Sequence, residues 1–314
     1  MRVMPAHELT ESAVVLAVGA FDGVHRLHHA FLRELRTAAD EQQAQTGLVL
    51  IDGGVHYKSR ILTSLDHRLE LIADTGLVDH VWIAPESVYL HLAEYLGQMF
   101  DELKPRAAAN CLSLPVSSET TFSSSDFDAL ATARGISLVP ILHANPGHAS
   151  ATDRLYTTRS ISELLTAGHV AVAARLLGRL YEMRGVVEKG DQRGRLLGFP
   201  TANLGVHETH LIPNEGVYAG VVLIGTEDPI TAAISLGRRS TFYEAGWELL
   251  EAHLLDFGAD LYGQEIRVLF AEHLRGQRQF SSAAELVEQL KLDVALVREV
   301  DPIVMYRGSQ QWAE

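Results

Sequence analysis

The sequence predicts an α/β domain built on a parallel, doubly wound sheet, followed by an all-β domain that closes as a small antiparallel barrel. Three observations carry this expectation. Apolar strand-like runs alternate with helix-like stretches from Val14 to Ile141. Beyond Tyr181 the texture changes to closely spaced strands separated by turn signals. The length, 314 residues, exceeds one ordinary domain and suffices for two with sizeable cores.

In the first half the predicted strands are Val14–Val18, Leu48–Ile51, His80–Ile83 and Leu138–Ile141. The helices between them are His28–Gln42, Asp66–Thr75, Val88–Leu103 and Ser125–Arg134. Strands that alternate with helices have the crossovers a parallel sheet requires. The run Ala13–Phe21 is too short to span a membrane and lacks a basic flank and a cleavage site, so it reads as a buried strand. A polar segment, Asn145–Thr158, closes a domain over 1–158, and a helical connector, Ser160–Leu177, fills 159–180. The barrel, 181–300, is expected to use Tyr181–Glu188, Thr201–Leu204, Gly216–Ile224, Ile230–Leu236, Leu249–Phe257 and Glu265–His273. Turns such as Gly258-Ala259-Asp260 separate these strands. Ser281–Val300 reads as an amphipathic terminal helix capped by Ser281 or Ser282, and the tail 301–314 is expected to fray.

Charge and cysteine content narrow the function. With 26 basic and 40 acidic residues the net charge is −14, which opposes nucleic acid as a partner and leaves anionic ligands to be held locally. Cys111 is the one cysteine, so neither an intrachain disulfide nor a cysteine-only zinc site can form, as suits a reducing, cytoplasmic compartment. No membrane partner is expected, and the oligomeric state is not written in the sequence.

The string Gly194-Arg195-Leu196-Leu197-Gly198-Phe199-Pro200-Thr201-Ala202-Asn203-Leu204 is a glycine-punctuated turn running into a short strand. Side chains alternate along a strand, so Phe199, Thr201 and Asn203 share one face. A hydroxyl beside a carboxamide oxygen suits Mg²⁺, which keeps several waters and completes its shell with nucleotide phosphates. Glycines at 190, 194 and 198 let the backbone approach a phosphate chain. Taken alone, the Thr-x-Asn pair also fits an ordinary hairpin edge. Further on, Glu251 and His253 share a strand face with Leu255 and Phe257. A carboxylate there is costly to bury without a partner. It can serve to orient or deprotonate a substrate hydroxyl in phosphoryl transfer, or it can be an outward-facing Glu on an exposed strand.

On these residues the chain resembles the bacterial bifunctional riboflavin kinase/FAD synthetases. The kinase resemblance spans about Ser160–Val300. It runs through Ala174-Arg175-Leu176-Leu177-Gly178-Arg179, Gly194–Leu204, Gly216-Val217-Tyr218-Ala219-Gly220, Glu251–Phe257 and Leu261-Tyr262-Gly263. It implies a riboflavin-kinase-like β-barrel with a terminal helix, in which Gly194, Arg195, Gly198, Phe199 and Pro200 form the nucleotide loop. It also implies that Thr201 and Asn203 help bind Mg²⁺-ATP. Glu251 would act as base toward the ribityl 5′-hydroxyl of riboflavin, giving FMN. No Walker-type loop occurs, which argues against a P-loop kinase. Where the family has Asn-x-Gly-Thr-Asn-Pro-Thr-Phe, this chain reads Ser235-Leu236-Gly237-Arg238-Arg239-Ser240-Thr241-Phe242. The substrate loop with Arg238, Arg239 and Thr241 is thus either a solvated turn or a changed recognition surface for the flavin or an extra phosphate.

The first half resembles the FMN adenylyltransferase module, which implies a Rossmann-like, nucleotidyltransferase-type sheet. Val14–Val18 followed by Gly19-Ala20-Phe21-Asp22-Gly23-Val24-His25 matches the first strand and phosphate loop, and Leu62–Leu71 matches a later helix start. The family's His-x-Gly-His reads His25-Arg26-Leu27-His28 here, putting a branched side chain where close approach is required. Its Gly-x-Asp-Phe-Arg-Phe-Gly segment is replaced by Leu112-Ser113-Leu114-Pro115-Val116, and Ser162 stands where an arginine belongs in Thr157–Ser162. Transition-state charge would lose a cation and a backbone cradle. The set Asp22, His25, Leu27, His28 and Ser162 therefore reads as a degenerate site. His25, His28 and His29 invite a metal reading, but inherited loop histidines explain them more simply.

The expectation is an enzyme, a riboflavin kinase with FMN adenylylation lost or strongly impaired. The alternatives are a flavin- or nucleotide-binding regulator without useful turnover, and a kinase for a flavin analogue or another polyol.

Overall fold

Val14–Gly19 is buried along its whole length, a pattern that belongs to a strand covered on both faces by helices. In a computed structural model, residues 1–4, 13–52, 60–84, 91–111, 122–141, 157–190, 193–205, 209–238 and 248–310 are described. The chain divides into units Met1–Thr158 and Arg159–Glu314.

The first unit contains β1 (Arg2–Met4), β2 (Val14–Gly19), α1 (Arg26–Glu41), β3 (Gln45–Ile51), α2 (Leu65–Asp74), β4 (His80–Ala84), α3 (Leu92–Leu103), β5 (Ala107–Cys111), α4 (Ser124–Thr132) and β6 (Ser137–Leu138). The strands pair in parallel as one six-stranded sheet in the order β1-β4-β3-β2-β5-β6. Alternation sends Val14, Leu16 and Val18 to one face, against Trp82, Phe100 and Phe127. Val15 and Ala17 go to the other, against Phe31, Leu32, Leu35 and Ile72. The chain reverses direction about β2, so β2 and β5 flank the switch point where doubly wound sheets bind ligands at the strands' carboxyl ends. β1 was not expected from the sequence. The strand expected over Leu138–Ile141 is shorter and earlier: Val139 N–H still reaches the Ala108 carbonyl, but Pro140 has no N–H to follow it.

The second unit begins with α5 (Thr158–Thr166) and α6 (Val170–Leu177), so the expected connector is two helices. Ala174 and Leu180 pack with Val221, Leu223, Leu269 and Ala271, making α6 part of the barrel's own core. The barrel strands are β7 (Tyr181–Glu188), β8 (Ala202–Leu204), β9 (Gly216–Leu223), β10 (Ile230–Arg238), β11 (Glu248–Leu254) and β12 (Glu265–Arg275), with a short helix α7 (Arg193–Leu196) before β8. They close in the order β10-β11-β8-β7-β12-β9, every pair antiparallel. β11 stops before the expected Phe257, as Asp256 turns into the left-handed region at φ 58°.

Helix α8 (Ala283–Val300) is capped by Ser282, whose hydroxyl accepts from Glu285 N–H. It is tied to the barrel by Asp293, 1% exposed, whose carboxylate receives both Arg275 Nε (2.8 Å) and Nη2 (2.6 Å). The tail expected to fray instead forms α9 (Pro302–Gln310). Asp301, left-handed at φ 49°, ends α8, and Pro302 starts the next helix where a missing N–H costs nothing. Ile303, Met305 and Tyr306 then pack on the cluster around Leu223 and Leu269. Among the described residues no helix is long and apolar enough to cross a membrane.

Candidate functional site

In β11, Leu250 (1% exposed), Ala252 (0%) and Leu254 (6%) point into the barrel, while Glu251 and His253 lie half-buried on the opposite face. Antiparallel register sets Glu251 directly opposite Asn203 of β8, and Asn203 opposite Glu188 of β7. On its other side Glu251 faces Ser235 of β10. Directly opposed residues share a face, so Glu188, Asn203, Glu251 and Ser235 form one polar row across four neighbouring strands. The sequence reading found the middle two and missed Glu188 and Ser235, whose place depends on register between strands. Thr201 immediately precedes β8 and is half-buried at the end of this row. The opposite-face assignment of Ala202 and Leu204 holds to the extent that both are buried, although Asn203 itself is only 9% exposed.

The turn before β8 is built by Gly194. Its carbonyl accepts from Leu197 N–H (3.1 Å) and Phe199 N–H (2.8 Å). A Cβ at Gly194 would lie 2.4 Å from the Phe199 carbonyl oxygen and 3.5 Å from Thr201 Oγ1. A Cβ at Gly190 would lie 2.5 Å from Asn203 Nδ2. Gly198 differs from these two: it is open on all sides and is needed for its φ of +87°. Arg195 and Pro200 are exposed at the rim, and Phe199 is half-buried.

Beside this turn lies a cleft of about 320 Å³ whose walls include Arg195, Thr201, Asn203, Phe257, Asp260 and Tyr262. That is at the lower end of small-molecule sites. Lys189 approaches the face of Tyr262, 5.9 Å from the ring centroid. Of the polar row, Asn203 lines the cleft, with Thr201 beside it. The donor set is one hydroxyl and one carboxamide, both hard and neutral, and the absence of a Cβ at Gly190 and Gly194 lets the backbone pass close to both side chains. These residues fit Mg²⁺ that arrives already charge-balanced by phosphates. Arg238 ends β10, opposite Glu248 in register; Arg239 and Thr241 lie outside the described residues.

The first unit's site is closely packed. Asp22 accepts from Leu62 N–H (2.9 Å), Thr63 N–H (3.0 Å) and the Thr63 hydroxyl (2.9 Å). Arg68, 1% exposed, donates to the carbonyls of Ala20 and Thr63 and lies 3.7 Å from Asp22. Phe21 and Val24 adopt positive φ, 51° and 36°. For a β-branched residue such as Val24 this stores about 1–3 kcal/mol of strain. His25 and His28 are 2% and 4% exposed, and their rings stack with centroids 3.7 Å apart. The His25 N–H donates to His28 Nδ1 at 3.4 Å. Leu27 occupies the second position of α1, half-buried, on the helix turn whose N–H groups are the natural anion donors. Ser162, expected with these residues, lies half-buried on α5 in the second unit, and 112–116 lie outside the described residues. Among the described residues no cluster of three or more His, Cys, Asp or Glu side chains is arranged to hold a metal.

Comparison with known proteins gives each unit a family match. The riboflavin kinase family matches residues 177–300, and the FAD synthetase family matches residues 7–100. The bifunctional riboflavin kinase/FMN adenylyltransferase of Listeria monocytogenes is 29% identical over 304 residues, covering 91% of this chain and 92% of its own length. The Escherichia coli K12 protein of the same description is 30% identical over 308 residues, covering 93% and 95%. A crystal structure described as a macrolide-efflux protein from Streptococcus pneumoniae shares the fold, with a TM-score of 0.74 at 22% identity, over 94% of this chain and 98% of that one.

Proposed function

The chain belongs to the bifunctional riboflavin kinase/FMN adenylyltransferase family, and from that premise we propose that its barrel transfers the γ-phosphate of ATP to the ribityl 5′-hydroxyl of riboflavin, giving FMN. The observation that carries this reading is the register pair Asn203–Glu251, with Thr201 beside it at the lip of the cleft. ATP lies in the cleft, with Arg195 at its rim offering charge to the phosphates. Thr201 Oγ1 and Asn203 Oδ1 would hold the nucleotide's Mg²⁺, which when bound would supply neutralisation of the phosphate charge. Glu251 orients the 5′-hydroxyl and accepts its proton as that oxygen bonds the γ-phosphorus and the γ-phosphorus bond to the leaving ADP oxygen breaks. Incubation with Mg²⁺-ATP and riboflavin, followed by chromatographic separation of FMN from FAD, is the test; absence of FMN refutes the kinase reading.

We further infer that FMN adenylylation is lost or strongly impaired. Leu27 on the first turn of α1, Ser162 without a cation, and a buried His25–His28 stack support this. FAD formed from FMN and ATP at a rate comparable to FMN synthesis would overturn it. Arg238 and Arg239 we assign to the acceptor side. Their guanidinium forks favour a planar anion, so restoring neutral residues with Arg238→Thr and Arg239→Asn should weaken FMN product inhibition while riboflavin turnover is equal or better. Unchanged inhibition and salt dependence would make this loop a solvated turn.

A further inference from the structure

The β8–β11 ladder ends where Ala202 pairs with Ala252. Chain continuation past Ala202 meets Thr201 and then Pro200, which has no N–H with which to extend a ladder. The next residue of β11, His253, instead ties this segment through its side chain. Its Nδ1 lies 2.7 Å from the Pro200 carbonyl oxygen. A carbonyl can only accept, so Nδ1 carries the proton and the imidazole donates. The same ring meets Phe199 edge to face, with centroids 5.5 Å apart and planes at 65°. Both contacts fall on the two residues just before Thr201.

We propose that His253 is a positioning residue that latches the nucleotide turn onto β11, fixing the Pro200–Thr201 peptide and hence the direction of the Thr201 hydroxyl. The proposal rests on Thr201 and Asn203 receiving Mg²⁺-nucleotide. Glu251 and the latch share one strand, so the base and the metal-facing hydroxyl are held in a common frame. β8 is only three residues long and cannot enforce that frame by its ladder alone. The hydrogen bond is at the rim of the barrel, so its removal loosens the turn without opening the core.

The test uses the full chain with His253→Ala and His253→Asn, since an asparagine amide nitrogen stands where Nδ1 stands and can donate to the same carbonyl. Hydrogen exchange of the 194–203 segment is read without ligand, and Mg²⁺-ADP affinity, KM for Mg²⁺-ATP, KM for riboflavin and the urea midpoint are read alongside. Loss of about one hydrogen bond predicts roughly a tenfold rise in KM for Mg²⁺-ATP in His253→Ala. Faster exchange in 194–203 accompanies it, with riboflavin KM and the urea midpoint unchanged, and His253→Asn recovers most of the loss. Wild-type exchange and nucleotide affinity in His253→Ala would refute the latch. So would a lowered urea midpoint that accounts for the loss, or an asparagine variant as impaired as alanine. If the wild-type chain makes no FMN, the kinase reading falls, and exchange with Mg²⁺-ADP affinity still decides the latch.

Discussion

Glu251 is the residue on which the proposed chemistry turns. Its strand neighbours Leu250 and Ala252 are core, so replacing the carboxylate by the isosteric amide changes charge without disturbing packing. Glu251→Gln should leave nucleotide binding intact and lower the rate of FMN formation about 10²–10⁴-fold, the size of a general-base contribution. Steady-state kinetics beside Mg²⁺-ADP titration checks this, and unchanged turnover removes Glu251 from the role. At Gly194 the constraint is steric: a methyl group would meet the Phe199 carbonyl oxygen at 2.4 Å. Gly194→Ala should therefore raise KM for Mg²⁺-ATP while the barrel stays folded. The faces of Asn203 and Glu251 were readable in the sequence because a two-residue period alternates side chains along a strand. Glu188 and the His253 contact were not readable, because each depends on which residue lies opposite on another strand.

Elements show the same division between local and non-local information. β2 was legible because an unbroken apolar run admits few other readings, and Ser282 announced α8 as its cap. β1 was missed because three residues acquire strand geometry only by pairing with β4. α9 was missed because the partners of Ile303, Met305 and Tyr306 come from barrel strands distant in sequence. The burial of Asp293 was equally hidden, since its partner Arg275 comes from β12. Asp293→Ala should leave that guanidinium poorly compensated and cost the second unit about 3 kcal/mol, read as a lower urea midpoint. In the first unit Asp79 joins β3 to α1, accepting from Thr46 N–H (2.8 Å) and Arg36 Nη1 (2.7 Å). Burial pushes its carboxyl up, but the hydrogen bonds from Thr46 and Arg36 outweigh this and hold it below the ordinary value. A folded value below the unfolded one gives stability that is complete above about pH 4 and lost as pH falls through the lowered value. Asp79→Asn should lower stability at neutral pH and make its fall in acid shallower, as urea midpoints across pH 2–7 will register.

At the scale of the whole chain, the second unit carries its own core and the whole candidate kinase site, so a chain beginning at Ser160 should fold and form FMN. One beginning at Tyr181 should not, because Ala174 and Leu180 leave the cluster around Val221 and Leu269. A folded but inactive Ser160 chain would give the first unit a direct part in the reaction. The two sheets also differ in how they end. The barrel returns to its first strand, whereas among the described residues the open sheet stops at β1 on one side and β6 on the other. Unpaired strand borders are templates for chain-to-chain association. Clumping on heating should therefore originate in residues 1–158, and the Ser160 chain should regain its activity after a heating cycle that precipitates the full-length protein.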